Sequence, residues 1–174
     1  MSPVVVVIGP PGAGKTTVAG VLGERLGVPV RDTDADVEAV AGKPVADIFV
    51  DDGEPAFREL EHAAVRAALD EHAGVLALGG GAVMNPLTER ALAGHPVVFL
   101  DVQIGAAASR IGLNRDRPLL VGNPRAQWLK LMEVRRPVYA RAAAVTVATD
   151  GLTPEEVADR VIEALQLSGA EGAR

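Results

Sequence analysis

Cysteine is absent from the 174 residues, which excludes a disulfide framework, a thiolate metal site and a cysteine nucleophile, and suits a reducing compartment. Aromatic residues make up only 3% of the chain, so Val, Leu, Ile and Ala must fill the interior. That favours closely packed helices and strands over a ligand-wide barrel. No apolar run approaches the roughly 18 residues of a membrane span. The first one, Val4 to Ile8, breaks at Gly9-Pro10-Pro11 and has no basic segment before it, so no secretory leader is read here. A basic excess is missing as well: the formal net charge of −6 argues against a general nucleic-acid binder, which needs an overall or clustered positive field. These absences lead us to expect a cytoplasmic protein, a monomer, with neither nucleic acid nor membrane as partner.

Against these gaps, a hydrophobic content of 48% supplies the core of one domain, taken as residues 1–167 with a flexible tail at 168–174. Charge is unevenly spread. Residues 110–141 hold eight Arg or Lys against Asp116 and Glu133, leaving the rest of the chain strongly acidic. Most of these cations lie near Pro and Gly in irregular sequence, where arginines commonly grip phosphates or carboxylates.

Short buried runs alternate with helical stretches, which predicts helices on both faces of a parallel sheet. Five strands are read, at Val4 to Ile8, Val28 to Asp32, Gly74 to Leu78, Pro96 to Val102 and Val145 to Ala148. Helices are read at 15–26, 34–40, 45–49, 54–71, from Asn85-Pro86, at 105–111 and 125–135, and from Thr153-Pro154 with its acidic first turn. Residues 112–124, rich in Gly, Asn and Pro, read as a mobile loop.

Gly9 to Thr16, GPPGAGKT, matches G-x-x-x-x-G-K-[ST] without a mismatch and lies between a buried strand and a helix. Its glycines let backbone N–H groups curl around nucleotide phosphates, and the helix N-terminus adds partial positive charge. Lys15 reaches the β and γ oxygens, and the Thr16 hydroxyl suits Mg²⁺. A phosphate loop alone does not separate a kinase from a GTPase, a motor ATPase or a nucleotide-gated binding module. The guanine motif Asn-Lys-x-Asp is missing, since Asn114 to Arg117 reads NRDR, and the third strand ends in LGGG where a motor carries acids.

Asp32 and Asp34 leave the second strand as an i, i+2 pair, read as pointing the same way along extended chain, one for Mg²⁺ and one for an acceptor hydroxyl. An ordinary helix cap is the plainer account of the same residues. Arg58 and Glu61 share one face of the long helix, as a surface ion pair or as part of a site, with Phe57 and Leu60 turned to apolar neighbours. Gly79-Gly80-Gly81 packs nothing, and its use is read as letting a small ligand touch backbone.

Together DTD at 32–34, ADIF at 46–49, DGE at 52–54, FRELE at 57–61, GGGAV at 79–83, RPLL at 117–120 and RRPVY at 135–139 resemble the shikimate kinase family over nearly the whole chain. The resemblance implies an α/β, three-layer P-loop kinase fold of the nucleoside monophosphate kinase type, with a five-stranded parallel sheet. It implies ATP-dependent phosphorylation of the 3-hydroxyl of shikimate, with Mg²⁺ as cofactor. Catalysis falls to Lys15, Asp34 and Arg117; ATP to Gly12, Ala13, Gly14, Lys15, Thr16, Thr17, Arg110 and Arg117; shikimate to Asp34, Arg58, Gly79, Gly80, Gly81 and Arg135; metal to Thr16 and Asp32. The acceptor region is placed at about 33–61, with Phe49 and Phe57 as its apolar floor, and a lid at about 112–124. Arg110 would lie over the adenine. In the loop before the last helix, where family members often carry an Arg, this chain has Asp150-Gly151-Leu152-Thr153, leaving base contacts there to backbone. Between Arg135 and Arg136, the first is assigned to the carboxylate because Pro137 should push Arg136 out of the helix. Gluconate and nucleoside monophosphate kinases share the fold but lack the combined DTD, FRELE and GGGAV set.

Overall fold

A computed structural model describes residues 1–111 and 123–168. Five parallel strands, β1 (Val5–Ile8), β2 (Val30–Asp32), β3 (Val75–Ala77), β4 (Val97–Asp101) and β5 (Val145–Ala148), form one sheet in the order β2-β3-β1-β4-β5. The central three are apolar and fully buried because helices cover both of their faces. The helices are α1 (Lys15–Leu26), α2 (Thr33–Ala41), α3 (Val45–Asp51), α4 (Glu54–Glu71), α5 (Pro86–Ala91), α6 (Ile104–Ile111), α7 (Pro124–Ala142) and α8 (Pro154–Leu165), with a 3₁₀ turn at Ala82–Met84. After β1 the chain crosses to β2, on one side of the sheet, and after β3 it crosses back to β4 on the other. Right-handed crossovers therefore put α1 on the face opposite α4, α5 and α7. The direction reverses at the end of β1, and ligands of open α/β sheets bind at such a reversal, outside the carboxyl ends of the strands.

The main core runs along the sheet from Val5 to Val161. A second, small cluster of Val37, Ile48 and Phe57, flanked by Ala41, Val45, Leu60 and Ala64, holds α2, α3 and α4 together. Helices α2 to α4 thus have their own apolar centre beside the sheet. No described helix is long and apolar enough to cross a membrane.

Two local expectations are corrected. Thr33 already begins α2, with Asp32 as its extended N-cap (φ −120°, ψ 124°), so the acidic pair does not lie on extended chain. The Asp32 carboxylate accepts the Asp34 N–H at 2.8 Å, and that bond favours closing the helix at once. Helix α7 does not stop at Arg135 but continues through Pro137 to Ala142. Burial of Trp128, Met132 and Tyr139 on that helix offsets the backbone bond that proline removes.

Candidate active site

The phosphate loop takes its shape from glycine. Gly12 and Gly14 have φ of +88° and +83°, a region that side-chain-bearing residues avoid. Gly14 caps α1, so the first free N–H groups of that helix open onto the loop. Lys15 folds beneath them, its Nζ donating to the carbonyls of Gly9 at 2.8 Å and Pro10 at 3.1 Å. Burial lowers the Lys15 pKa to about 8, with Arg135 pushing the same way and the charges of Asp34 and Asp32 opposing it.

A cavity of about 640 Å³ runs from Thr149, Leu152 and Pro154 across Pro11 to Val18, and on to Asp32, Asp34, Gly79 and Gly80. This volume suits a nucleotide and a small acceptor placed end to end. Burial raises the pKa of Asp34 above the ordinary carboxylate value, the neighbouring Asp32 adds to the effect, and Lys15 opposes it. Thr33 between them is fully buried, and its hydroxyl has no hydrogen-bond partner among the described residues.

The three glycines after β3 are where the acceptor residues meet. A Cβ on Gly79 would stand 2.7 Å from Asp34 Oδ1 and 3.1 Å from Glu61 Oε2. On Gly80 it would meet Arg135 Nη1 at 3.3 Å, and on Gly81 it would meet the Arg58 guanidinium at 2.6 Å. The glycine strip thus lets Asp34, Arg135 and Arg58 close onto one stretch of backbone from three helices. Arg58 Nη1 donates to Glu61 Oε1 at 2.8 Å, and Glu61 is only 2% exposed, so this pair is no surface ornament. Burial raises the Glu61 pKa while Arg58 holds it down. The Arg58 guanidinium also lies 5.2 Å from the centroid of the Phe57 ring, and Phe57 packs on Phe49 with centroids 4.6 Å apart. Phe57 is buried and Phe49 is exposed.

Of the two adjacent arginines, Arg135 turns toward Gly80 while Arg136 turns away to Asp101, with Nε and Nη2 both 3.2 Å from Oδ1. Arg135 is thus the arginine beside the glycine strip, while the expectation that Pro137 pushes Arg136 out of the helix is overturned, since both residues are helical. Arg110 donates to the Gly12 carbonyl at 2.9 Å and to the Thr149 hydroxyl at 3.1 Å, at the end of the cavity away from Asp34. Arg117 and the proposed lid segment 112–122 lie outside the described residues, as does 169–174 of the tail.

Several contributors escaped the sequence reading. Tyr139 donates its hydroxyl to the Gly80 carbonyl, and Trp128 Nε1 donates to the Pro11 carbonyl at 3.2 Å. Thr149 binds Arg110, and Asp150 accepts the Gln103 N–H at 3.0 Å, fixing the loop before α8. The RRPVY string contained Tyr139, but nothing local marked Trp128 or Thr149.

Among the described residues no group of three His, Cys, Asp or Glu is disposed to hold a metal. Thr16 and Asp32 both line the cavity. One hydroxyl and one carboxylate make a thin set, which fits Mg²⁺, an ion that keeps several waters and takes much of its coordination from substrate phosphates.

A phosphate loop at the reversal point of a parallel sheet, joined by one cavity to the Asp34 carboxylate, defines a P-loop small-molecule kinase. The family model for shikimate kinase matches residues 11–166. The chain is 54% identical to the shikimate kinase of Streptomyces avermitilis over 168 residues, spanning 97% of this chain and 98% of that one. It is 56% identical to that of Salinispora arenicola over 161 residues, with 92% and 96% covered. Among solved structures, the shikimate kinase of Acinetobacter baumannii in complex with shikimate superposes with a TM-score of 0.86 at 31% identity, over 95% of this chain and 93% of that one. A gluconokinase of Sinorhizobium meliloti, 20% identical with a TM-score of 0.59, shares the fold alone. The chain belongs to the shikimate kinase family and is an enzyme, a kinase.

Proposed function

We infer that this enzyme transfers the γ-phosphoryl group of ATP to the 3-hydroxyl of shikimate, giving shikimate 3-phosphate and ADP on the route to aromatic amino acids. The observation that carries this reading is the continuity of the cavity from the phosphate loop to Asp34 and the glycine strip. Shikimate is a small carboxylate bearing three hydroxyls, so it needs a cationic clamp, a hydroxyl acceptor and an apolar floor. Arg58 and Arg135 are the clamp, Asp34 orients the hydroxyl, and Phe49 and Phe57 form the floor. The peptide N–H groups of Gly12 to Thr17 cradle the phosphates, and Arg110 serves the adenine end.

In the reaction the acceptor oxygen bonds to the γ-phosphorus as the bond to the β–γ bridging oxygen breaks. The hydroxyl proton leaves toward Asp34, whose raised pKa makes it a more willing acceptor than an exposed aspartate. The transition state is loose, so alignment and charge neutralisation outweigh proton removal. Lys15 supplies positive charge where it develops, and the family resemblance gives Arg117 the same task. Held by Thr16 and Asp32, Mg²⁺ would neutralise phosphate oxygens.

We read the chain as one kinase domain, a cytoplasmic monomer, with 33–61 as its acceptor-binding part. ADP release with Mg-ATP, measured against shikimate, gluconate and CMP in turn, tests the function. Turnover is expected with shikimate alone. Turnover with another acceptor, or with none despite tight ATP binding, would overturn it.

A further inference from the structure

We propose that Asp101, through Arg136, is a positioning residue for the acceptor site: the pair fixes the rotation of the proline-weakened turn of α7 and so aims Arg135 at the substrate carboxylate. This rests on Arg135 being a clamp residue. Pro137 has no N–H to donate to the carbonyl of Glu133, so the turn 133–137, which contains Arg135, has lost a backbone bond. A helix is free to bend where such a bond is missing. Something outside the helix must then define its direction.

Two tethers hold this part of the helix. Within the weakened turn, Arg136 donates to Asp101 Oδ1 from Nε and Nη2 at 3.2 Å, and Nη2 reaches the Val102 carbonyl at 3.3 Å. After it, Tyr139 donates to the Gly80 carbonyl. Successive helical residues point about 100° apart, so pinning Arg136 to the end of β4 dictates where Arg135 points. It points over Gly80. Asp101 is well placed for this task. Its Oδ1 also accepts the Val102 N–H at 2.9 Å, and its carbonyl accepts the Thr149 N–H and hydroxyl, both at 2.9 Å. The carboxylate is thus held by the rigid end of a buried strand. Arg136 itself reaches neither the glycine strip nor Asp34 by any bond in the structure, so its effect on the acceptor must pass through Arg135.

Steady-state kinetics of Arg136→Ala, Asp101→Ala, the double variant and Arg136→Lys, each also made in an Arg135→Ala background, tests the proposal. Loss of one or two partly exposed bonds should raise the shikimate KM roughly 3- to 10-fold in each single variant, with the ATP KM unchanged. The double variant should be no worse than either single, and Arg136→Lys should recover part of the loss. With Arg135 already removed, Arg136→Ala should add nothing. Asp101→Ala removes the acceptor while leaving every side chain of α7 in place, and serves where Arg136→Ala folds poorly. A normal shikimate KM in both single variants, an equal rise in both KM values, or a full Arg136→Ala effect without Arg135 would each overturn the proposal. If Arg135→Ala itself leaves the shikimate KM unchanged, the clamp assignment fails, and the positioning role falls with it.

Discussion

The nucleotide half and the acceptor half of the site both depend on glycine, and Gly14 differs in its reason from the strip after β3. In the phosphate loop a Cβ on Gly12 would press on Ala107 at 3.0 Å, but at Gly14, with φ of +83°, no described residue lies within 4 Å of where a Cβ would stand, so there the requirement is conformational alone. After β3 none of Gly79, Gly80 and Gly81 is left-handed, yet a Cβ on Gly79 or Gly81 would come within 2.7 Å of a functional side chain. There the requirement is space. One half is a cradle of peptide N–H groups built from a single local segment. The other is a convergence of side chains from α2, α4 and α7 on one strip of backbone. Ligand selectivity should follow this division: changes in the cradle act on ATP and the chemical step, whereas changes in the convergence act on shikimate.

Lys15→Ala should give the largest effect, because in the proposed mechanism it removes a cradle side chain that places positive charge on the transferring phosphoryl group. A fall in kcat of about 100- to 1000-fold is expected from losing one such stabilising group. Far-UV circular dichroism should stay native, and activity close to wild type would refute the role. Arg135→Ala comes next and should act on the other half. Hydrogen bonds to charged groups contribute about 1.5 to 3 kcal/mol, so the shikimate KM should rise roughly 10- to 150-fold at saturating Mg-ATP, with ATP binding little changed.

The same division explains what could be read before the fold was seen. The strands, the phosphate loop and the capped start of α8 are local features, and each lies where its own sequence puts it. The start of α2 was missed because Asp32 serves as strand end and helix cap at once. The run of α7 through Pro137 was missed because its supports are distant in sequence. Trp128 reaches Pro11 across 117 positions, Tyr139 reaches Gly80 across 59 and Arg136 reaches Asp101 across 35. Local propensity counts the roughly 3 kcal/mol that proline costs a helix and cannot see the contacts that offset it. Arg58 and Glu61 were recognised as neighbours, but burial of Glu61 against the glycine strip comes only from the fold. The family resemblance named Asp34, Arg58, Arg135 and the glycines as a group, and the fold brings them side by side, but the resemblance gave no physical reason for the glycines.

Exchanging the glycines separates conformation from space. Gly14→Asn should be better tolerated than Gly14→Ala, because asparagine visits the left-handed region more readily and other residues pay roughly 1 to 2 kcal/mol there. At Gly81 the order should reverse. A methyl already collides with the Arg58 guanidinium at 2.6 Å, and the larger asparagine collides more. Gly81→Ala should therefore raise the shikimate KM and leave the ATP KM alone, whereas Gly14→Ala should act mainly on ATP. The same order of tolerance at both positions would remove the distinction.

The smallest effect expected is a fraction of a proton. With its pKa lowered to about 8 by burial, Lys15 is about half neutral in the free enzyme at pH 8. A bound polyphosphate favours the ammonium, so ATP binding at pH 8 should take up to about half a proton, and the uptake should vanish near pH 6, where the lysine is already charged. Titration calorimetry of Mg-ATP in buffers of different ionisation enthalpy measures this directly. The sign for folding is set by the same shift. Between the folded value near 8 and the ordinary lysine value of 10.5, the unfolded chain binds more protons, so this group makes stability rise with pH across that window. Asp34 and Glu61 have raised values and act the other way, in the acid range: their contribution is present below the ordinary carboxylate pKa and is lost as pH rises through the raised one. Lys15→Ala should abolish the proton uptake at pH 8 and remove the Lys15 share of the alkaline stability slope. Uptake that survives in Lys15→Ala would assign the titrating group elsewhere and break the link between the buried lysine and the nucleotide half.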